Sequence, residues 1–287
     1  MKNIIGKSWR DSASLIVLTR RNSELLSREK DRGGVNYDIL LQTRTRSASF
    51  ANSVVFPGGV SESVDGSPRW LQLLSSFGYT DQDFEALHRP TSAISPIFQN
   101  NPVQRHIQLR ITAIRETFEE LGLLFCRREQ KKDRAGLWAE VIQDIDVKYW
   151  QKRWLYPAEV LNSDKELYPP QTYELHRLSH VNDIAELIKF ARERSGYATD
   201  LIYPTVAKVK DGVLHILPGD DLYPSSIDYN DNTIIHLDKT ILELRESCRT
   251  LHRFEKTKTT EQFVIQNYKP DNHLKMEDKA YPTHTAV

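Results

Sequence analysis

The chain is poor in cysteine: Cys126 and Cys248 are the two in 287 residues. That excludes a disulfide-stapled scaffold and fits a reducing compartment. Cys126, following "GLLF", reads as a small buried hydrophobe. No window of 18 apolar residues occurs, so no membrane-spanning helix is expected. There is no net charge either, because 39 basic side chains balance 39 acidic ones. Bulk adhesion to nucleic acid or to a membrane therefore has no electrostatic basis. The nine histidines show neither an HxxxH nor a Cys/His spacing, which argues against zinc. Internal repeats and low-complexity tracts are absent. The start, "MKNIIGKSWRDSASLIVL", has no signal-peptide core, and the "THTAV" end is not an S-K-L address.

What is present is ordinary for a globular enzyme: 39% apolar and 27% charged residues, with length enough for a sizeable core. Strand-forming runs stand at Ala13 to Thr19, at Tyr37 to Thr43 and at Ser53 to Phe56, the last stopped by "PGG". A polar loop ending in Gly33-Gly34 separates the first two. Two short helices are expected next: "SPRWLQLLSSFG", with Ser67 as cap, Pro68 in its first turn and Gly78 as stop, and "TDQDFEALH", capped by Thr80. "RPTSAISPIFQNNP" reads as loop. Residues 61–104 thus look inserted between a strand and the helix of 105–121. In that helix Ile111, Ile114, Phe118 and Leu121 form an apolar stripe, and Gly122 ends it.

From Cys126 to Arg153 the chain is charged and helix-like, and Pro157, Pro169 and Pro170 read as breaks. Ser179 to Gly196 is a further helix with Asn182 or Asp183 near its start. A hairpin turns at Asp211-Gly212. Near the end come a helix at "DKTILELRESC" and a strand at "EQFVIQN". "PGDD" at Pro218 to Asp221 reads as a turn in preference to a catalytic acid. Trp138, Trp150 and Trp154 read as packing residues before stacking platforms.

The chemistry concentrates in "ITAIRETFEELGLL". Glu116, Glu119 and Glu120 share a helix face, where like charges repel by roughly 0.2–0.5 kcal/mol per pair. A hard divalent cation reverses that sign. Arg115, four residues before Glu119, can steady its carboxylate. Upstream, Pro57-Gly58-Gly59 lets a backbone approach an ion or a phosphate.

"FPGGV" followed by "RETFEELGL" resembles the Nudix hydrolase signature, G-x5-E-x7-R-E-U-x-E-E-x-G-U. Gly59 opens the match, and Arg115, Glu116, Glu119, Glu120, Gly122 and Leu123 complete it. Asp65 stands for the first glutamate and Thr117 for the aliphatic residue. Forty-nine residues separate Asp65 from Arg115 where the signature has seven. This split box, together with "LYPPQTYELHRLSHVNDI" and "GVLHILPGDDLYP", resembles the nucleoside diphosphate-linked moiety X motif 19 group, which acts on coenzyme A and its acyl esters.

The resemblance implies an α/β fold: one Nudix α/β/α sandwich over residues 10–287 with a mixed sheet, the insertion, and a helical and hairpin part over 170–287. It implies a diphosphatase dependent on Mg²⁺ or Mn²⁺, with coenzyme A or acyl-coenzyme A as small-molecule partner. Glu116 and Glu120 would hold the cation, and Glu119 would be a further ligand or the catalytic base. The Gly58 carbonyl would complete the shell and Arg115 would orient the glutamates. Arg44 and Arg46 would grip phosphates as guanidinium forks. The family glycine before "FPGG" is replaced here by Asn52 and Ser53. About fifty residues of the family pattern are also missing, which shortens the sheet. ADP-ribose or a dinucleoside polyphosphate as substrate, and a catalytically silent scaffold, stand as alternatives. The group implies peroxisome or mitochondrion, while the absence of an address leaves cytosol open.

Overall fold

The computed structural model describes residues 10–21, 34–44, 53–87, 98, 100–124, 151–163, 167–194, 202–227, 233–270 and 273–283. The expectations at Arg46, Cys126, Trp138, Trp150 and the helical pattern of 135–145 lie outside them.

The first expected strand is two: β1 (Ser12–Ser14) and β2 (Leu18–Arg20). They flank a crossing from one sheet to another. β3 (Tyr37–Thr43) and β4 (Val54–Val55) follow, then β5 (Gly58–Val60). The "PGG" bend therefore starts a strand where a stop is expected. β1 pairs with β5, and β3 is the centre of a four-stranded sheet. On one edge of β3 lies β6 (Gln151–Leu155), matched from Ile39 to Thr43. On the other lie β2, at Tyr37 to Ile39, and β4, at Gln42 and Thr43. Every pair in this sheet is antiparallel. β6 corrects the helix-like reading of its stretch. Its "QKRWL" has no apolar alternation to betray it, and it is recruited by a long-range partner.

Side chains alternate along β3. Tyr37, Ile39 and Leu41 face a core completed by three helices: α4 (Pro157–Leu161), α5 (Pro169–Leu178) and α6 (Ile184–Arg194). Pro157 and Pro169 open α4 and α5, correcting their reading as breaks; φ near −65° suits a first turn, where no N–H partner is needed. Asp183 starts α6 by accepting from Ala185 N at 2.9 Å.

On the opposite face of β3 lies α3 (Pro102–Leu121), reached through Gln42 and packed on β1 and β5. The order helix, sheet, helix is the expected α/β/α sandwich. α3 begins a turn earlier than its apolar stripe suggests, because Asn101 caps it and Pro102 takes the first position. It ends at Gly122 with φ of 68°, as expected. The stripe itself is corrected. Only Leu121 of that set is buried, and the buried side runs instead through Ala113, Thr117 and Glu120. Small side chains there let the helix backbone come close to β5.

Between β5 and α3 run α1 (Arg69–Ser76) and α2 (Asp81–Glu85). Gly78 has φ of +96°, and Thr80 closes a capping box with Asp83. Ser67 Oγ accepts from Arg69 N, although Pro68 holds the cap position.

The C-terminal hairpin is part of a six-stranded sheet. β7 (Thr205–Val209) and β8 (Gly212–Ile216) are joined by Lys210-Asp211, one residue before the expected turn. β9 (Ile235–His236) pairs with β7 in parallel, so this sheet is mixed. After α7 (Ile241–Ser247), capped by Thr240, come β10 (Leu251–Lys256), β11 (Glu261–Gln266) and β12 (Lys279–Pro282). Asp220 of the "PGDD" turn is fully buried against Arg253 with bonds of 2.6 and 2.7 Å, and Asp221 receives Arg249 N and Thr250 N. Both aspartates staple the turn to β10. α5 joins the two halves. Leu175 and Leu178 line the first core, while Tyr173 packs with Phe254, Phe263 and Tyr281 in the second.

Candidate diphosphatase site

α3 carries a polar edge along its length, and each turn of it holds one residue of the strand and loop from Gly58 to Gly66. Gln104 Nε2 donates to the Gly66 carbonyl at 2.8 Å. Gln108 Nε2 donates to Ser61 Oγ at 2.8 Å, and Thr112 Oγ1 to Asp65 at 2.9 Å. Arg115 reaches Asp65 through Nε and Nη2, both at 2.9 Å, and the Val60 carbonyl at 3.1 Å. Glu120 Oε2 accepts from Gly58 N at 3.1 Å and from Gln42 Nε2. The spacing of 104, 108, 112 and 115 is the repeat of one helix edge. The two halves of the split box are thus contiguous in space. The excursion leaves after Gly66 and returns at Gln104, which touches it.

Arg115 is the hub. Besides Asp65 and Val60, its Nη1 lies 3.1 Å from both Glu119 oxygens and 3.2 Å from Glu116. Its partners, the Asp65 bond first, hold its pKa above the ordinary guanidinium value. Asp65 is only 1% exposed. Burial pushes its carboxyl up, but the bonds from Arg115, Glu62 N and Thr112 together outweigh that and hold it below the usual range. An aspartate thus fills the place of the signature's first glutamate.

The two glycines of the bend have separate reasons. A Cβ on Gly58 would run into the Ala13 carbonyl, and one on Gly59 would fall on the Glu116 carboxylate. Glu116 therefore lies against bare backbone. The β1–β5 register explains Gly58. Leu15 N bonds Pro57 O and Ser61 N bonds Asp11 O, so the Ser14–Gly58 pair between them exchanges no bonds. That turns Gly58's peptide groups toward α3, where its N–H meets Glu120.

Burial raises the pKa of Glu116, Arg115 opposes it, and the neighbouring Glu119 and Glu120 raise it further. Glu120 is also raised, first by burial, against bonds from Gln42 and Gly58 and the charge of Arg44. Crowded, partly dehydrated carboxylates of this kind suit a cation. Among the described residues, no three His, Cys, Asp or Glu side chains are already drawn around one centre. Arg115 supplies the positive charge between Glu116 and Glu119.

Of the expected residues, Arg115, Glu116, Glu119, Glu120 and Gly58 come together. Arg44 stands one residue beyond the end of β3, and its charge acts on Glu120. Gln42 was not legible in the sequence, since nothing local marks a glutamine in an apolar strand as a partner of a helix 78 residues on.

An α/β/α frame in which a glycine bend and a glutamate-bearing helix close on each other is a Nudix module. The NUDT19 Nudix domain matches residues 9–154, and the NUDT19 C-terminal domain matches 206–266. The chain belongs to the NUDT19 Nudix family and is a hydrolase of phosphorus-containing anhydrides.

Relatives include the acyl-coenzyme A diphosphatase NUDT19 of Xenopus laevis, 26% identical over 86% of this chain and 90% of its own length. That of Gallus gallus is 25% identical over 86% and 89%, and that of Homo sapiens 31% identical over 66% and 46%. The alignment with the Xenopus protein spans 341 positions, more than this chain's 287 residues, so the relative carries segments this chain omits. A solved Nudix hydrolase from Alicyclobacillus acidocaldarius has a TM-score of 0.39 at 15% identity, covering 63% of this chain and 96% of its own.

Proposed function

We propose that the chain cleaves the diphosphate of coenzyme A or acyl-coenzyme A, giving 3′,5′-ADP and (acyl-)4′-phosphopantetheine. The observation that carries this reading is the closure of Glu116 and Glu120 on the Gly58–Gly59 bend, although 49 residues separate Asp65 from Arg115. The names of the relatives support the substrate class.

The donor set is all oxygen and suits Mg²⁺ or Mn²⁺. Glu116, Glu120 and the Gly58 carbonyl are the ligands in this reading, with Glu119 a further ligand or the base. Bound there, the cation neutralises diphosphate charge and acidifies a water. Arg115 keeps Glu116 and Glu119 in place and sets the distance between helix and bend through Asp65. Glu119, the more exposed of the pair that Arg115 holds, is suited to take a proton from an attacking water. Arg44 and Arg46 take the substrate's phosphates. Residence in peroxisome or mitochondrion is the location this reading favours, and fractionation of cells making a tagged protein tests it.

The test is chromatography of products from coenzyme A, ADP-ribose and diadenosine polyphosphates with Mg²⁺. Coenzyme A turnover that falls at least 100-fold in Glu119→Gln and Glu120→Gln is the expected result. Turnover of ADP-ribose alone replaces the substrate assignment, and a folded protein inert on all three is a scaffold.

A further inference from the structure

Gln42 stands in the middle of the sheet at 1% exposure, between Leu41 and Thr43 on a strand otherwise suited to apolar residues. Its amide nitrogen donates to Glu120 Oε2, the oxygen that also receives Gly58 N. A carboxylate only accepts, so this contact fixes which end of the amide faces it. The amide oxygen is then directed elsewhere. It is buried and has no donor among the described residues. A buried acceptor left in this state is uncommon in a folded chain, so the amide is kept here for its nitrogen contact and not for packing. On this face of β3 the neighbouring functional group is the Glu120 carboxylate on the bend. A chain that needed only packing at this place would carry leucine or methionine, as Leu40 and Leu41 show beside it.

We propose that Gln42 is a positioning residue of the cation site. Its amide nitrogen fixes the rotamer of Glu120 over the Gly58–Gly59 bend. The chain thereby governs the outer shell of the ion from the sheet, while the ligands come from the helix and the bend. This rests on the metal-dependent reading above and adds a residue that the signature does not contain. Partners in such an outer shell set ligand orientation, and their loss commonly weakens metal affinity 10–100-fold.

The experiment is a titration of the full chain with Mn²⁺, reading free Mn²⁺ by electron paramagnetic resonance. It compares wild type, Gln42→Met, Gln42→Asn, Glu120→Gln and the Gln42→Met/Glu120→Gln pair. Methionine keeps the volume without hydrogen bonds, and asparagine keeps the amide but is one methylene too short to reach Glu120. Both are expected to weaken Mn²⁺ binding about 10–100-fold. In the Glu120→Gln background, Gln42→Met should change affinity much less, because no carboxylate remains to orient. Wild-type affinity in both Gln42 variants overturns the assignment, even with a lowered melting temperature, since that is what a packing role produces. Additive losses in the pair overturn it also. If Gln42→Met does not fold, as judged by circular dichroism, Gln42→Asn decides. Failure of wild type to take up Mn²⁺ overturns the metal reading itself; uptake by wild type with unchanged variants overturns only the role of Gln42.

Discussion

Gly59 has no room for even one methyl group, because the Glu116 carboxylate occupies the space. Gly59→Ala should therefore displace Glu116. We expect coenzyme A turnover to fall at least tenfold and stability by about 1–3 kcal/mol, the usual cost of overpacking, read from urea unfolding and product chromatography. Asp65→Asn should do a different kind of harm. It leaves Arg115 without its best-buried anion, a loss of roughly 3 kcal/mol for a buried pair broken from one side. At this scale the sequence was partly legible. Gly59, Asp65, Arg115 and the three glutamates follow the signature's order, so their neighbourhood was foreseeable. Gln42 was not, because a contact between a strand and a distant helix leaves no periodic trace. His252 and Arg253 were invisible for the same reason: β10 reads as polar, and its charges are matched by Asp220, far off in sequence.

At the scale of elements, α3 acts as a rail on which the Gly58–Gly66 segment is fastened turn by turn. Removing residues 67–100 and joining the ends through a short Gly-Ser linker should preserve α3 and Mn²⁺ binding, because Gly66 and Gln104 already meet. Loop closure depends weakly on length. Hydrogen exchange of the α3 amides checks this: loss of protection there would show that the excursion supports the helix. The ends of α3 and α2 were readable from Gly122 and Thr80, whose roles are local. Prolines misled. Pro102, Pro157 and Pro169 open helices, and the residues that distinguish opening from breaking come after them. β6 escaped notice because an edge beside β3, not its own composition, makes it a strand.

Across the whole molecule, α5 belongs to both cores, and its Tyr173 hydroxyl meets His252 Nε2 at 3.0 Å. The other ring nitrogen lies 2.6 Å from the Pro218 carbonyl and must donate to it, so in the neutral ring Nε2 accepts from the Tyr173 hydroxyl. Burial pushes the His252 pKa down from 6.5 to about 4. Since the folded value is depressed, this stabilisation is complete above pH 6.5 and is lost as pH falls through about 4. Between pH 7.5 and 5 the loss should reach roughly 2 kcal/mol. Urea midpoints should show it for wild type and a flatter profile for His252→Gln. α5 cannot leave one core without vacating the other, so the two halves are bound to yield together. Whatever tightens the cradle beside Gly58 is then felt at Tyr281 as slower exchange of its amide, and occupancy at one pole of the molecule can be read at the other.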